Sequence, residues 1–536
     1  MTRTSNVVWV VALLVGSSLA TIGACNFQAG VNGGAQPTGV AGSTGAAGST
    51  ASGAAGAAST GLGGSPFDFG GKYMSSGTGG TVSQMGPCMK LTCQQSTCGG
   101  AGCTVKCAPG QCTTVSGTVF DPAGVTPLYN IAVYVPNDTL APINDGPSCD
   151  PCDPNTGTSL LSGSPTVITK SDTAGKFVLG KDSTTDVPAG TNIPLVIQIG
   201  KWQRQIVLPT VTACQDNPIP DGTVRLPKNS MEGHIPRIAL TTGASDAMEC
   251  LLKKIGVDVP EFTTTDGMGR IHLIGGGTTM NPGTTSFATP PSSGSANFTL
   301  VHPAAGGADW WDSLDNLKKY DIVLHSCEGS AGQYTAAQDP TSVKSMAART
   351  ALQQYADMGG RVFASHWHAY WFEKGTPDFQ SVATFLNPHG RGLPNPTDTT
   401  IDQTFDQGKA LAQWMMNVQG SMTLGTVSIS QDASNTEVAM AAGPPISQQW
   451  IYAPTQNNTV IFLSATTPIP NAMNMMPNAC GRAVLSDLHV SAGGAGSDMP
   501  ATPFPTGCVT TTLTPREKVL EFMLFDIASC VRPIVQ

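Results

Sequence analysis

The stretch Tyr355–His368, YADMGGRVFASHWH, contains the end of a helix, a turn and the start of an apolar run. The helical pattern over Val343–Met358 stops at Gly359-Gly360, because glycine readily ends a helix. The apolar run RVFASHWHAYW that follows predicts a short buried strand. Helix, turn and strand in this order form the unit from which a parallel sheet with covering helices is built.

The same alternation of strand and helix precedes this stretch. DIVLHSCEGS, GRIHLIGGG and Arg237–Thr241 predict strands, and WDSLDNLKKY predicts a short helix. Asp246–Gly256 predicts a further helix, in which Glu249 follows Asp246 at the spacing of a capping box. The part of the chain before Tyr355 therefore reads as a series of strand–helix units.

Downstream, TVIFLSATTPI and GRAVLSDLHVS predict strands. TPREKVLEFMLFDIAS predicts a terminal helix, with Thr514 as its cap and Glu517 as the capping-box partner. The segments Gly276–Ala308 and Glu373–Thr400 are predicted as long inserted loops. Residues 229–536 are thus predicted to form an α/β domain with a doubly wound, mostly parallel sheet.

Residues 114–228 show the pattern of a β structure instead. TVSGTVFDP, IAVYVPN, GKFVLG and IPLVIQIGKWQRQIVLP are short β-rich runs separated by Gly, Pro, Asn and Asp. Many short strands without helical periodicity predict a β-sandwich of the immunoglobulin-like kind. The chain is therefore expected to be multidomain.

The first residues predict export, with residues 1–24 as a signal peptide. Arg3 precedes the apolar run Val7–Val15, which is shorter than the about 20 residues that span a bilayer. Residues 25–86 are rich in Gly, Ala, Ser and Thr and are predicted to be a disordered tether. The end LATIGAC resembles a bacterial lipobox, which implies an acylated Cys25 anchored in a membrane and facing the cell surface or the periplasm. The alternative is an ordinary signal peptide cut nearby.

Residues 87–113 form a Cys-rich segment with almost no apolar residues. Its cysteines lack the paired CxxC spacing of zinc sites, so disulfides are favoured over zinc. The chain has 15 cysteines, and setting Cys25 aside leaves an even number for pairing. The disulfide candidates are Cys88, Cys93, Cys98, Cys103, Cys107, Cys112, Cys149, Cys152, Cys214, Cys250, Cys327, Cys480, Cys508 and Cys530.

The charge of the chain excludes one class of partner. The net charge is -9 and lysine and arginine form no cluster, so the basic surface that nucleic acid requires is missing. The predicted partners are the membrane, through the N-terminal lipid, and an unknown envelope protein or carbohydrate ligand.

Polar residues follow three predicted strands at their carboxyl ends, where ligands bind in an open parallel sheet. On an extended strand His366 and His368 point to the same side, as a chelating His-x-His requires. A divalent metal held by these two residues and His489 is one hypothesis, and hydrogen-bonded histidines in a semi-polar pocket are the other. The candidate catalytic residues are Cys327, Glu328, His366, His368, Asp487 and His489.

Cys327 has two interpretations. As a nucleophile it needs a nearby histidine as base, and His325, His366 or His489 could serve if the strands are adjacent. In a disulfide with Cys250 it is inert, and this interpretation is favoured in an exported protein. Ser365 is not flanked by the glycines of a nucleophile elbow and is not expected to be a nucleophile.

Two longer resemblances concern the two predicted domains. SGTV at Ser116–Val119, AVYVP at Ala132–Pro136, SDTAGKFVL at Ser171–Leu179 and VPAG at Val187–Gly190 resemble the carboxypeptidase regulatory-like domain. This resemblance implies a small immunoglobulin-like or transthyretin-like β-sandwich that usually has no catalytic residues.

YDIVLHSCEGS and YADMGGRVFASHWH resemble the class I glutamine amidotransferase-like, flavodoxin-like group, including its ThuA-like branch. The resemblance implies a flavodoxin-like fold, and the ThuA-like branch implies a carbohydrate ligand. Active members of the group carry a cysteine in a Gly-x-Cys-x-Gly turn after the elbow strand. Here that position holds Ser365, His366 and His368, and Cys327 lies one strand earlier, so amidotransferase chemistry is not expected.

Together these features predict a membrane-anchored, exported lipoprotein that binds a ligand at the strand ends of its α/β domain. Binding without catalysis is favoured because no catalytic motif is complete. The alternative is an exported hydrolase or lyase that uses the His/Asp cluster, with or without a metal, on a carbohydrate.

Overall fold

The computed structural model describes most of the chain between Cys88 and Arg532. The signal segment, Cys25, the tether, Cys98 and Cys103 lie outside the described residues. The gaps within Cys88–Arg532 are 97–103, 155, 160, 181–184, 277–282, 289–294, 296–297, 304–306, 329–343, 430–433, 443–445, 472, 475–477, 492–502 and 510.

The regular secondary structure in the N-terminal part of this region is almost entirely β-strand, in two sheets. One sheet has the order β4-β1-β7 and the other the order β3-β2-β5-β6-β8. Along β4 exposed and buried residues alternate, which is the pattern of a strand with one face on a core. The strands are β1 Thr114–Thr118, β2 Ala132–Pro136, β3 Pro165–Lys170, β4 Lys176–Leu179, β5 Gly190–Ile199, β6 Trp202–Val211, β7 Asp216–Pro218 and β8 Gly233–His234.

The C-terminal part contains the remaining strands and all of the described α-helices. The strands are β9 Ile238–Thr241, β10 Phe262–Thr263, β11 Ile271–Gly275, β12 Thr299–Leu300, β13 Ile322–His325, β14 Arg361–Ser365, β15 Ala383–Gly392, β16 Thr397–Ile401, β17 Thr426–Ile429, β18 Ser434–Met440, β19 Ser447–Ala453, β20 Thr459–Thr467 and β21 Gly481–Ser486. The helices are α1 Met248–Lys254, α2 Leu314–Leu317, α3 Met346–Asp357, α4 Tyr370–Glu373, α5 Pro377–Gln380, α6 Asp406–Asn417 and α7 Pro515–Ala528. Short 3-10 helices lie at Lys90–Gln94, Val259–Glu261, Trp310–Asp312 and His366–Ala369.

One large sheet organises this part, in the order β10-β11-β9-β13-β14-β21-β20-β19-β16-β17, and β12 pairs with β11. Neighbouring strands are parallel from β10 to β21 and antiparallel from β21 to β17. β15 and β18 form a separate antiparallel pair. The protein is thus a mixed α/β structure with strands in several sheets and few helices, and the sheet is parallel in one half only.

Both faces of the parallel half are covered by apolar side chains. Ile322 and Leu324 of β13 belong to one hydrophobic cluster, which includes residues of α1, α6 and α7. Val323, between them, belongs to a second cluster with residues of α2, α3 and α4. Alternate strand residues therefore enter opposite cores, as the pleat requires. With both faces covered, the strand ends are the part of the sheet left for polar chemistry.

The predicted loop over Glu373–Thr400 is wrong, because this segment contains α5, all of β15 and most of β16. The sequence pattern does not predict β16, because two of its buried residues are threonines and not aliphatic residues. Thr397 and Thr399 are buried and alternate with less buried residues, and the Thr399 hydroxyl donates to the Val427 carbonyl at 2.9 Å. A search for apolar alternation does not detect such a strand.

The two predicted capping boxes have different outcomes. α7 begins as predicted, with Pro515 as its first residue and reciprocal bonds between Thr514 and Glu517. α1 begins at Met248, and its N-cap makes no side-chain bond. Asp246 instead accepts hydrogen bonds from Ser365 and Val490, which are distant in sequence.

Disulfides link distant parts of the chain. The described pairs are Cys88–Cys93, Cys107–Cys214, Cys149–Cys480, Cys152–Cys530 and Cys250–Cys508, and Cys112 is also disulfide-bonded. Several such pairs indicate an oxidising, exported environment. Among the described residues, no helix has both the length and the apolar character that crossing a membrane requires.

One predicted disulfide is wrong. Cys250 bonds Cys508, and Cys327 carries a buried thiol. Cys250 lies on α1, whereas Cys327 follows β13 at the end of the sheet. The interpretation of Cys327 as part of an inert disulfide therefore fails.

Candidate functional site

The polar residues predicted at the strand ends do meet at one edge of the sheet. β13, β14 and β21 are neighbours and run parallel, with His325 paired to Ala364 and Ser365 paired to Ser486. The residues that follow these strands therefore leave the sheet side by side. They form two clusters, one around Cys327 and one around Glu328.

The paired orientation predicted for His366 and His368 is wrong. β14 ends at Ser365, and His366–Ala369 is a 3-10 helix. A 3-10 helix turns by about 120° per residue, so side chains two positions apart no longer share a side. His366 also has a φ of +39°, which non-glycine residues adopt rarely and which is found most often at functional sites. The two imidazoles consequently enter different clusters.

The thiol–imidazole cluster consists of Cys327, His366 and His489. The Cys327 Sγ lies 3.4 Å from Nδ1 of His366, and the His366 and His489 rings are 5.1 Å apart between centroids. One ligand atom from each residue lies within 4.8 Å of the other two. All three residues are buried, so sulfur and nitrogen atoms face one another away from bulk water.

The carboxylate of Asp246 holds the two imidazole-bearing segments in place. Its Oδ2 accepts a 2.5 Å hydrogen bond from the Ser365 hydroxyl, and its Oδ1 accepts one of 2.8 Å from the Val490 N–H. Ser365 directly precedes His366, and Val490 directly follows His489. Asp246 is fully buried, so both bonds are shielded from water.

A second group of buried contacts holds the segment that carries His489. Lys254 of α1 donates to Glu517 of α7 at 2.7 Å and to the Ser491 carbonyl at 2.7 Å, and Glu517 accepts from the Ser491 N–H at 2.9 Å. Both side chains of the ion pair are at most 1% exposed. The helix cap of α7 thereby also fixes the chain two residues after His489.

The aromatic–polar cluster forms around Glu328, the residue directly after Cys327. The Lys344 Nζ donates to Glu328 Oε2 at 3.1 Å, and the His368 Nε2 lies 3.8 Å from Glu328 Oε1. His325 stacks on His368 with ring centroids 4.8 Å apart. The members of this cluster are Glu328, Lys344, His325, His368, Trp311, Tyr370 and Trp371.

Aromatic rings enclose the ammonium of Lys344. Its Nζ lies 4.8 Å from the Trp311 ring centroid and 5.3 Å from those of Tyr370 and Trp371. Such cation–π contacts, together with the ion pair to Glu328, compensate for the loss of water around a lysine that is 1% exposed. The cluster therefore carries one positive and one negative charge.

Both imidazoles of the aromatic–polar cluster are neutral. Burial, followed by the charge of Lys344, lowers the pKa of His325 to about 3 and that of His368 well below its ordinary value. The Trp371 indole N–H donates to Nδ1 of His368 at 3.1 Å, so the ring proton of His368 is on Nε2. His368 Nε2–H is thus a donor near the acceptor Glu328 Oε1, at a distance too long for a good hydrogen bond.

Four buried polar atoms of this cluster make no hydrogen bond within the described part of the chain. Two are donors, the indole N–H of Trp311 and Nε2–H of His368. Glu328 Oε1 is an acceptor, and His325 Nε2 is the fourth atom, while His325 Nδ1 is bonded to the Thr241 hydroxyl at 3.0 Å. Each such buried atom costs about 1–3 kcal/mol when it is left without a partner.

The remaining sequence candidate, Asp487, lies at the same edge of the sheet. Asp487 is buried directly after β21, and its backbone N–H donates to the Ile461 carbonyl at 2.8 Å. The Ser365 hydroxyl donates a hydrogen bond to Asp246.

Lys344, Trp311 and Asp246 are site residues that the sequence patterns do not indicate. The spacing around Asp246 is that of a helix cap, and Trp311 and Lys344 fall within predicted helices. A lysine in an otherwise uncharged run, Thr341 to Ala348, is the signal that could mark Lys344.

Neither a comparison with protein-family models nor one with curated proteins finds a match to this chain. The clusters themselves are therefore the basis for a proposal about the class of protein.

Proposed function

We propose that this chain is an exported envelope protein that binds a neutral, hydroxyl-rich small molecule, such as a carbohydrate, at the aromatic–polar cluster. The observation that carries the proposal is the group of four buried polar atoms without partners at the strand ends. A hydroxyl group both donates and accepts, so it can receive a bond from His368 or Trp311 while donating to Glu328. Aromatic walls with a few convergent polar groups are the usual lining of a small-molecule site.

The charges of the cluster support a neutral ligand. Lys344 and Glu328 already neutralise each other, and the imidazoles of His325 and His368 carry no charge. A ligand with a net charge has to leave water without gaining an opposite charge, which is costly in a buried site. A neutral ligand avoids this cost.

The proposal includes the membrane anchor and the two domain assignments. The lipobox resemblance supports an acylated Cys25, with the tether holding the folded part away from the membrane. The β-sheets over residues 114–228 support the carboxypeptidase regulatory-like assignment. The sheet around β13 and β14, with helices on both faces, supports a doubly wound, flavodoxin-like core in the C-terminal part.

Tryptophan fluorescence of the full chain tests the proposal, because Trp311 and Trp371 line the site. The probes are glucose and N-acetylglucosamine as neutral compounds, and glucuronate and glucosamine as charged ones of similar size. We expect saturable changes with a neutral compound and weaker binding of the charged ones.

Variants show whether the fluorescence change comes from binding at the aromatic–polar cluster. Glu328→Gln, which replaces one acceptor oxygen with a donor amide, and Trp311→Phe, which removes the indole N–H, should each weaken binding about tenfold. Trp367→Phe, in the same turn but outside the cluster, is the matched control and should bind normally. Binding that only charged probes show, or that neither variant changes, contradicts the proposal.

A hydrolase or lyase is the second candidate, and the contact of Cys327 with His366 favours it. A thiol next to an imidazole is the arrangement from which a nucleophile is generated. Release of product from glycosides or esters by the full chain, lost in Cys327→Ala, would favour this function over binding alone.

A further inference from the structure

We infer that Cys327, His366 and His489 bind a zinc ion. This inference goes beyond the proposed binding function and uses other residues, so each can fail without the other. Its basis is the convergence of one sulfur and two imidazole groups from three separate segments of the chain. The 3-10 helix after β14 turns His366 toward Cys327, and β21 brings His489 beside them.

The spacing of the ligand atoms suits one shared ion. With Zn–S and Zn–N bonds of about 2.3 and 2.1 Å, a sulfur and a nitrogen in a tetrahedral site lie about 3.6 Å apart. The Cys327 Sγ and the His366 Nδ1 are 3.4 Å apart. All ligand atoms lie within 4.8 Å of one another, so one ion could contact all three.

The residue types also restrict which metals can bind. Thiolate and imidazole are ligands for zinc and copper, whereas magnesium and calcium require oxygen ligands. Three protein ligands leave the fourth tetrahedral position open, which is the arrangement of zinc sites that act on a bound water or ligand. Such a metal site is compatible with the disulfides of an exported protein, because the described disulfides use cysteines other than Cys327.

Charge and proton balance are satisfied. On binding, the Cys327 thiol releases its proton to solvent and coordinates as a thiolate, while the two imidazoles bind through nitrogen lone pairs. The Asp246 carboxylate is hydrogen-bonded to the segments that carry both histidines. It supplies a second negative charge in addition to that of the thiolate. Asp246 is thus a positioning residue for the metal ligands, acting through Ser365 and Val490.

The test measures zinc in the full chain, purified after export, stripped with a chelator and reloaded with zinc sulfate. We expect about one tightly held zinc ion per chain. Cys327→Ser and His489→Asn should weaken zinc binding more than about 100-fold, because each removes a direct ligand. His234→Gln is the matched control, since His234 lies on β8 of a different sheet and contacts the Lys201 carbonyl.

Circular dichroism shows whether each variant is folded. A cobalt-loaded sample provides a second measurement of the metal site if a variant folds poorly. Cobalt in the wild-type site should show a thiolate charge-transfer band that the folded Cys327→Ser chain lacks. Reloaded wild-type chain without tightly bound zinc, or zinc that Cys327→Ser and His489→Asn retain, overturns the inference. Copper held by the same three residues in place of zinc overturns the choice of metal.

Discussion

The carboxylate of Asp246 accepts a 2.5 Å hydrogen bond from the hydroxyl of Ser365, the residue directly before His366. The same carboxylate binds the Val490 N–H directly after His489. One buried acid thus joins the ends of β14 and β21, and the positions of both imidazoles depend on it.

Asp246→Asn should lower zinc affinity about 10- to 100-fold, which is the usual effect of removing a hydrogen-bond partner that orients metal ligands. Asparagine keeps an acceptor for the Val490 N–H but loses the negative charge, so the fold should persist. Zinc titration with a competing chelator measures the affinity. Asp246→Glu, which restores the charge, should recover part of it, and a variant with unchanged affinity would show that Asp246 is only structural.

Cys327 should react as a thiol without prior reduction. In the native chain it is buried and should be alkylated slowly, whereas in denaturant with a chelator it should react at once. Cys250 and Cys508 should react only after reduction, because they form a disulfide. Peptide mapping by mass spectrometry checks each site, and a Cys327 that reacts only after reduction contradicts the structure.

The contribution of Asp121 and Glu521 to stability should fall as the pH rises from about 4 to about 6. Burial raises the pKa of Asp121 to about 6 from 3.8, and burial together with the Asp121 charge raises that of Glu521 well above its ordinary value. The folded state therefore holds protons that the unfolded state releases. For Asp121 this amounts to about 3 kcal/mol lost between pH 3.8 and pH 6.

Asp121→Asn should remove the Asp121 contribution, because asparagine does not titrate, and the fold should persist, because asparagine keeps the Oδ1 acceptor for the Val125 and Thr126 N–H groups. Urea unfolding at several pH values measures the effect, with the exposed Asp221→Asn as control. An equal pH slope in the wild-type and Asp121→Asn chains would refute the assignment.

Lys254→Met should lower the free energy of unfolding by about 3–5 kcal/mol, because Glu517 is left as an uncompensated buried charge. Lys254→Met combined with Glu517→Gln should recover part of the loss, since glutamine keeps the capping box without the charge. Denaturant unfolding at pH 7 measures both. A single variant as stable as the wild type would mean that the pair contributes no net stability.

The sequence predicts which residues meet at one edge of the sheet, but it does not predict the local geometry of the chain at that edge. Alternation of strand and helix places Cys327, His366 and His489 at one edge of a sheet, and the structure brings these three together. The sequence does not show that β14 ends at Ser365, because the following residues remain apolar and aromatic. This single boundary separates His366 from His368 and decides which residues share a site.

The buried support of the clusters depends on contacts between residues far apart in the chain. Asp246 has the spacing of a helix cap, and only the folded sheet brings it to Ser365 and Val490. Lys344 resembles any surface lysine until Glu328 and the aromatic rings surround it. Local patterns carry no information on such partners.

X-ray absorption at the zinc edge of the reloaded full chain tests the meeting of Cys327, His366 and His489 most directly. We predict a first shell of one sulfur at about 2.3 Å and two imidazole nitrogens at about 2.0–2.1 Å, with one lighter ligand in the open position. A shell of oxygen and nitrogen alone, or of several sulfurs from the Cys-rich segment, would contradict a centre built from these three residues.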